Sequence, residues 1–303
     1  MPKTKEINLA ELIEKFSSED RCRDYLEELR WPDGVLCPRC EKAERKADRI
    51  SRIKARHQFH CDECSYQFSV RVDTIFHDSK LPLWKWFLAV YMMVQSRKGV
   101  SANQLKRMLG VSYKTAWYLC HRIREAMKVE DAKKLSGVIE MDETFLGGKR
   151  KTGRQGPHGK TVVIGAVERG GDVRLAYKKS RRKGAIADFM DEHVEDGAEA
   201  LYTDAYNVYP FEARERDIPH DSVNRNDHEW VHGQVHTNTI ESVWSLLDRS
   251  IIGAYHKIST KHLPRYLDEL EWRHNNRSNP FLFRDTLLRL IGAEQLEYKN
   301  LTA

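Results

Sequence analysis

The 303-residue sequence has no long apolar run, no internal repeat and no low-complexity tract, and it contains only 9 prolines and 6 cysteines. No stretch approaches the roughly 18 consecutive apolar residues of a membrane-spanning helix. The charged first residues lack the apolar core of a signal peptide. We therefore expect a cytoplasmic protein. In that reducing compartment, cysteines serve metals or catalysis more often than disulfides.

Positive charge is concentrated in one part of the chain. Residues 37–135 carry 21 Lys and Arg against 10 Asp and Glu, whereas residues 136–303 carry 24 against 26. A regional basic excess favours a polyanionic partner such as nucleic acid. Charge taken alone is equally compatible with a well-solvated surface.

Apolar spacing and composition divide the chain into four regions. Residues 1–36 show helical periodicity, and residues 37–72 are rich in cysteine and arginine. Residues 80–131 read as three helices, and residues 136–300 alternate strands and helices. The composition predicts a multidomain α+β protein, with the polar stretch 129–136 as a linker.

Four of the cysteines form two C-x2-C pairs separated by 20 residues. This spacing is typical of a tetrahedral zinc site in a β-ribbon that owes much of its folding energy to the metal. Four unrelated cysteines, or a redox C-x-x-C pair, explain the pattern less well. Cys22 and Cys120 lie among apolar residues and are interpreted as buried thiols. The expected zinc ligands are Cys37, Cys40, Cys61 and Cys64.

Two short helices joined by a glycine-containing turn are predicted after an apolar helix at Leu83–Gln95. Ser101 is a suitable cap for Ala102–Leu109, and Ser112 for Tyr113–Met127. This pattern is typical of a helix-turn-helix, although a plain helical hairpin has the same signature. The second helix is expected to present its polar side chains outward, with its first residues against DNA bases or phosphates. The candidate DNA contacts are Tyr113, Lys114, Thr115, Tyr118 and Arg122, with Arg124 also placed outward.

Acidic residues fall at separated positions of the last region. Asp142 lies within an apolar strand at 138–145, Asp204 directly follows a strand at 200–203, and Glu241 lies on a helix at 237–251. An acid among apolar strand residues is costly unless it is paired or binds a metal. Carboxylates suit Mg²⁺, and two such ions support in-line phosphoryl transfer. With 45 acids in the chain, spacing alone is weak evidence.

Several longer blocks resemble the prokaryotic insertion-sequence transposases that join a zinc ribbon and a helix-turn-helix to a DDE-type catalytic domain. The resemblance covers roughly residues 20–280 and implies an RNase H-like catalytic domain with a mixed sheet. Besides the cysteines, the matching blocks are Met141-Asp142-Glu143-Thr144-Phe145 with Gly147-Gly148-Lys149, Tyr202-Thr203-Asp204, His236-Thr237-Asn238-Thr239-Ile240-Glu241-Ser242-Val243-Trp244-Ser245, Gly253-Ala254-Tyr255-His256-Lys257-Ile258-Ser259, and Tyr266-Leu267-Asp268-Glu269 leading to Arg273-His274-Asn275-Asn276-Arg277.

The resemblance implies that Asp142 and Asp204 bind catalytic Mg²⁺ or Mn²⁺. The third position is Asn in some members and Glu in others, followed by a Lys, and this sequence offers both Asn238 and Glu241. Glu241 is preferred because an anion binds Mg²⁺ better than an amide does. Lys257 matches the family Lys and is expected near the scissile phosphate.

Two further features of these blocks carry alternatives. Glu269, Arg273 and Arg277 are spaced four apart, so they either form ion pairs along one helix or use the two arginines to position DNA. Asp248 stands where a second basic residue is expected, which weakens local DNA binding if it faces DNA.

The resemblance implies a transposase that binds terminal inverted repeats, cuts the ends and joins them to target DNA. Engagement of two ends by double-stranded DNA binding implies at least a homodimer, associated with the nucleoid. A DNA-binding regulator with an inactive site, and a nuclease that cuts without joining, are the alternatives. The intact acids argue against the regulator, but they serve nuclease and transposase equally.

Overall fold

The computed structural model describes residues 7–45, 49–147, 161–224 and 231–303. The described helices, in chain order, are α1 Leu9–Lys15, α2 Glu19–Arg30, α3 Pro38–Lys42, α4 Leu83–Gln95, α5 Ala102–Leu109, α6 Tyr113–Met127, α7 Lys183–His193, α8 Tyr209–Glu215, α9 Asn238–Ser250, α10 Leu263–Asn275, α11 Leu282–Gly292 and α12 Tyr298–Thr302. None of them is long and apolar enough to cross a membrane.

The described strands form two sheets. Three strands form an antiparallel ribbon, and five form a mixed sheet in the order β6-β5-β4-β7-β8. The strands are β1 Ile50–Ile53, β2 Gln58–Cys61, β3 Gln67–Phe68, β4 Val138–Leu146, β5 Thr161–Glu168, β6 Val173–Lys178, β7 Ala200–Asp204 and β8 His220–Val223.

The chain divides into two compact units. The first contains residues 1–127 together with 278–303, and the second contains residues 128–277. The boundary near residue 128 agrees with the expected linker. The expected catalytic region, 136–300, is too long, because its last 26 residues pack with the first unit instead.

Aromatic side chains hold the three-stranded ribbon together in the first unit. The ring of Trp31, just after α2, lies 5.4 Å from Phe59 and 6.0 Å from Phe68. Phe59 and Phe68 pair across β2 and β3. The helical lead-in therefore packs against the ribbon, which is too small to bury a core of its own.

The helices α4, α5 and α6 have the bounds that the sequence predicts. Ser101 and Ser112 cap α5 and α6 through bonds to Gln104 N and Thr115 N, both 3.1 Å. Gly110 ends α5 with φ +59°, a left-handed conformation that favours glycine. Helix α11 packs against α4 and α6, so the chain end completes this helical group.

The mixed sheet of the second unit buries both faces. β4, β5 and β6 are antiparallel neighbours, whereas β7 and β8 run parallel to β4. Ile139 and Met141 face a core with α7 and α8. Val163 and Val167 face a second core with α9 and α10. Because strand side chains alternate, Glu140 and Asp142 point toward α9 and α10, and Glu143 points toward α7 and α8.

Candidate functional site

Three carboxyl groups converge at one end of the mixed sheet. Oxygens of Asp142, Glu143 and Asp204 lie within 4.8 Å of one another. Asp142 and Asp204 lie on the adjacent parallel strands β4 and β7. Since parallel strands end at the same sheet edge, residues 61 positions apart become neighbours. The structure thus brings together the first two predicted acids and adds Glu143, which the sequence reasoning did not assign to the site.

An indole holds Asp142 from the α9 side. Trp244 Nε1 donates to Asp142 Oδ2 over 3.2 Å, and both groups are buried. The indole fits because Gly165, which pairs with Asp142 across β4 and β5, has no side chain. A Cβ at Gly165 would lie 2.4 Å from Trp244 Cη2. A glycine within an apolar strand was the sequence signal for this close approach.

Gly165→Ala is expected to displace Trp244 and to weaken its bond to Asp142. The added methyl would also lie 2.8 Å from Leu175 Cδ2, and such overpacking costs about 1–3 kcal/mol. Urea unfolding should show this loss, whereas Gly184→Ala, with nothing within 4 Å of its Cβ, should not. Equal stability of the two variants would contradict the proposed role of Gly165.

The two candidates for the third ligand lie on the first turn of α9. Asn238 is exposed, and Glu241 is half-buried and accepts from Thr237 Oγ1 at 3.2 Å. Glu241 is one turn before Trp244, so it is on the face that reaches Asp142. Among the described residues, the group within 4.8 Å contains neither Asn238 nor Glu241. Their roles as ligands stay predictions.

Lys257 lies away from this acidic group. It follows a π-helical turn at Ile251–Tyr255 and is exposed. With Asp248, it lines a cavity of about 540 Å³ that also contacts Phe145 and Leu146 at the end of β4. The Lys and the unexpected Asp thus face the same space. Gly148 and Lys149, part of a block that the resemblance uses, lie outside the described residues.

Glu143 is the acid whose protonation the structure changes most clearly. Burial raises its pKa to about 7, and the charges of Asp142 and Asp204 act in the same direction. The hydroxyl of Tyr209 donates to Glu143 over 2.7 Å and opposes part of this rise. Three close carboxyls therefore repel one another in the absence of a cation.

We expect Glu143→Gln to alter how stability depends on pH in the absence of divalent ions. The folded pKa of about 7 lies above the ordinary 4.5, so wild-type stability falls as pH rises between these values. The loss attributable to Glu143 is about 3 kcal/mol. Urea unfolding of both proteins from pH 4.5 to 8 should show the variant gaining relative to wild type as pH rises. Parallel curves would contradict the raised pKa.

The four cysteine sulfurs form a second candidate metal centre. They lie within 4.8 Å of one another, with pairs at 3.6 Å (Cys37–Cys64) and 3.7 Å (Cys40–Cys61). One C-x2-C pair begins α3, and the other ends β2. Four converging thiols suit one tetrahedral zinc ion. Cys22 and Cys120 are buried outside this group, as the sequence indicates.

The predicted DNA-binding face of α6 is only partly correct. Tyr113 and Lys114 are exposed, and Thr115 is half-buried. Arg122 is buried, contrary to expectation, and donates to the carbonyl oxygens of Ile75 and His77. These carbonyls satisfy the guanidinium, which a helix-periodicity argument could not foresee.

Two other α6 residues and one α10 residue also differ from expectation. Tyr118 is half-buried and donates to Leu296 O, and Arg124 is buried. Arg273 is buried and paired with Glu269 on α10, which supports the ion-pair alternative. Helix α10 ends at Asn275, so exposed Arg277 does not continue the ladder and instead donates to carbonyl oxygens of His274 and Gly171.

Comparisons with known proteins agree with both centres. Residues 17–67 match the family model of a transposase zinc-ribbon domain, and residues 134–275 match that of an ISXO2-like transposase domain. A protein of Halobacterium salinarum, described as an uncharacterized protein in transposable element ISH50, is 30% identical over 284 residues. This alignment covers 86% of the chain and 92% of that relative.

These similarities define the class first: a protein with a zinc ribbon and a transposase domain. The chain belongs to the insertion-sequence transposase family that combines this ribbon with an ISXO2-like transposase domain.

Proposed function

We propose that the protein is an active transposase. It binds the terminal inverted repeats of its element, hydrolyses the DNA strands at the ends and joins the 3′-hydroxyls to target DNA. The convergence of Asp142 and Asp204 from adjacent parallel strands is the single observation that carries this proposal. Isolated acids on a surface would not meet in this way.

The sheet supports an RNase H-like catalytic domain. Three antiparallel strands, β6-β5-β4, continue into the parallel strands β7 and β8, with helices on both faces. This arrangement exposes the ends of β4 and β7 side by side and places α9 against them. Function in such a fold is argued from its site rather than from its topology.

The acidic group fits a hard divalent cation. It offers oxygen donors alone, which Mg²⁺ and Mn²⁺ prefer, and the raised pKa of Glu143 shows that its carboxyls lack a compensating positive charge. Asp142 and Asp204 would hold the ions, with Glu241 or Asn238 completing the set. When bound, two such ions supply activation of the attacking oxygen and stabilisation of the leaving oxygen.

The chain's own residues orient and shield this centre. Trp244 fixes one oxygen of Asp142 and leaves the other available. Tyr209 holds Glu143 from the opposite sheet face. Lys257 supplies an exposed positive charge in the cavity next to the end of β4, where it would contact a phosphate of the DNA strand.

DNA recognition is assigned to the ribbon and to α5 and α6 as a helix-turn-helix. Tyr113, Lys114 and Thr115 begin α6, the position from which such helices read the major groove. The exposed basic side chains of the ribbon add phosphate contacts, and these are Arg49, Arg52, Lys54 and Arg56. Arg277 adds a further cation, whereas buried Arg122 and Arg273 act in folding. Engagement of two element ends requires at least a homodimer, acting on the nucleoid in the cytoplasm.

A strand-transfer assay tests the proposal. Full-length zinc-loaded protein is mixed with labelled DNA carrying the gene's flanking ends and with a plasmid target, in Mg²⁺, Mn²⁺ or EDTA. We expect joined products that require the divalent ion and the native end sequence. Cleaved ends without joining would identify a nuclease, and specific binding without cleavage in either metal would identify a DNA-binding regulator.

A further inference from the structure

Beneath the acidic centre lies a buried ion pair that no step of the proposed reaction uses. Glu140 is completely buried, and its Oε1 accepts from Arg169 Nε over 2.8 Å. Glu140 precedes Asp142 by two residues on β4, so both side chains leave the same face of the sheet. They are separated along the strand by about 6.6 Å.

Glu140 also binds the start of α9. Its Oε2 accepts from the backbone amides of Thr239 (2.7 Å) and Ile240 (3.1 Å), and its Oε1 accepts from Thr239 Oγ1 (2.8 Å). The usual capping residue, Thr237, makes no side-chain cap, and its hydroxyl donates to Glu241. A carboxylate from β4 therefore caps a helix about 100 residues further along the chain. Its charge also favours the positive end of the helix dipole.

Arg169 extends the contact to β7 and to the segment before α9. Its Nη2 donates to His236 O over 3.2 Å, and its guanidinium carbon lies 4.8 Å from the centre of the Tyr202 ring. His236 Nδ1 lies 3.1 Å from Glu140 Oε1. Tyr202 precedes Asp204 by two residues and pairs with Glu140 in the β4–β7 register. The ion pair thus contacts all three elements that carry the predicted ligands.

Each contact falls one or two residues before a predicted ligand. Glu140 precedes Asp142, Tyr202 precedes Asp204, and Ile240 precedes Glu241. A displacement of α9 relative to β4 would have to break several charge-assisted hydrogen bonds in a buried setting, where they are strong. We propose that the Glu140–Arg169 pair is a positioning device that sets α9, with Glu241 and Trp244, against Asp142 and Asp204.

This inference rests on the proposed function, because it concerns the geometry of the same metal centre. Outer residues that orient metal ligands typically change metal affinity or activity by about 10- to 100-fold when replaced. Glu140→Gln keeps the size of the side chain but removes its charge. Arg169→Lys keeps the charge but removes the planar fork that reaches Glu140 and His236 together.

The first measurement is Mn²⁺ binding to the full-length zinc-loaded protein without DNA, by titration calorimetry. We expect Glu140→Gln and Arg169→Lys to raise the Kd by about 10- to 100-fold. The ¹⁵N-indole NMR signal of Trp244, assigned with Trp244→Phe, should shift in both variants. In the strand-transfer assay, kcat should fall while KM for end DNA stays within about twofold, because the assigned DNA contacts lie elsewhere.

Glu212→Gln is the matched control. Glu212 is also completely buried in the second unit, and it accepts from Arg216 Nη1 over 2.7 Å, but it caps no helix of the site. It should lower the melting temperature without changing the Mn²⁺ Kd. If Glu140→Gln fails to fold, Arg169→Lys carries the test, since Arg169 is partly exposed.

The outcomes separate this inference from the proposed function. An unchanged Mn²⁺ Kd and Trp244 signal in both variants, with only stability lost, would overturn the positioning role. Mn²⁺ binding that depends on Asp142, without any DNA cleavage by the wild type, would overturn the transposase but leave the positioning test valid. Absence of Asp142-dependent Mn²⁺ binding would overturn both.

Discussion

Asp142→Asn is expected to lower DNA cleavage and joining by on the order of a thousandfold or more. The substitution removes an anionic ligand from a centre whose bound ions would supply several kcal/mol of transition-state stabilisation, and each 1.4 kcal/mol corresponds to a factor of ten. Asn keeps the shape of the side chain and can still accept from Trp244, so folding should be retained. The strand-transfer assay measures the effect directly.

End binding provides the internal control for Asp142→Asn. The residues assigned to end recognition belong to the first compact unit, and Asp142 belongs to the second. The variant should therefore bind labelled end DNA with wild-type affinity in a gel-shift assay. Retained cleavage by a well-folded Asp142→Asn protein would move the metal centre away from the end of β4.

The same assay ranks the candidates for the third ligand. We expect Glu241→Gln to lower cleavage by about a hundredfold, because the half-buried carboxylate lies on the face of α9 that reaches Asp142. Asn238→Ala should have less than about a tenfold effect, because Asn238 is exposed and neutral. The reverse order would assign the ligand to the amide.

Local patterns predicted the parts of the fold that local chemistry determines. The serine caps and the glycine turn defined α5 and α6 to the residue, since Ser101, Gly110 and Ser112 act within a few positions of themselves. The two C-x2-C pairs likewise predicted a sulfur cluster. In each case the sequence spacing directly fixes which groups can meet.

Nonlocal packing limited the rest of the prediction. The burial of Arg122 depends on carbonyls about 45 residues away, and residues 278–303 pack with the first unit through contacts that no periodicity reveals. Helix α8 and strand β8 were missed between Asp204 and α9, although α8 supplies Tyr209. Strand alternation assigned Glu143 to the face opposite Asp142, yet both carboxyls reach the same point at the strand end.

Removal of zinc is expected to unfold the ribbon and to abolish specific recognition of the element ends. Structural zinc contributes about 10 kcal/mol or more to the folding of small domains, and the ribbon has few apolar groups beyond Trp31, Phe59 and Phe68. Cys61→Ser or chelation should lower end affinity to the non-specific level, a loss on the order of a thousandfold. Fluorescence anisotropy with native and scrambled ends measures this loss.

Cys22→Ala is the matched control, because Cys22 is a buried thiol outside the sulfur cluster. It should retain one zinc per chain, measured by colorimetric release, and wild-type discrimination between the two DNAs. Mn²⁺ binding at Asp142 and Asp204 should persist in Cys61→Ser, since these acids belong to the other compact unit. If the zinc-free protein still distinguishes native from scrambled ends, α5 and α6 read the sequence alone. The ribbon would then add only sequence-independent phosphate contacts, which would appear as a smaller dependence of binding on salt concentration.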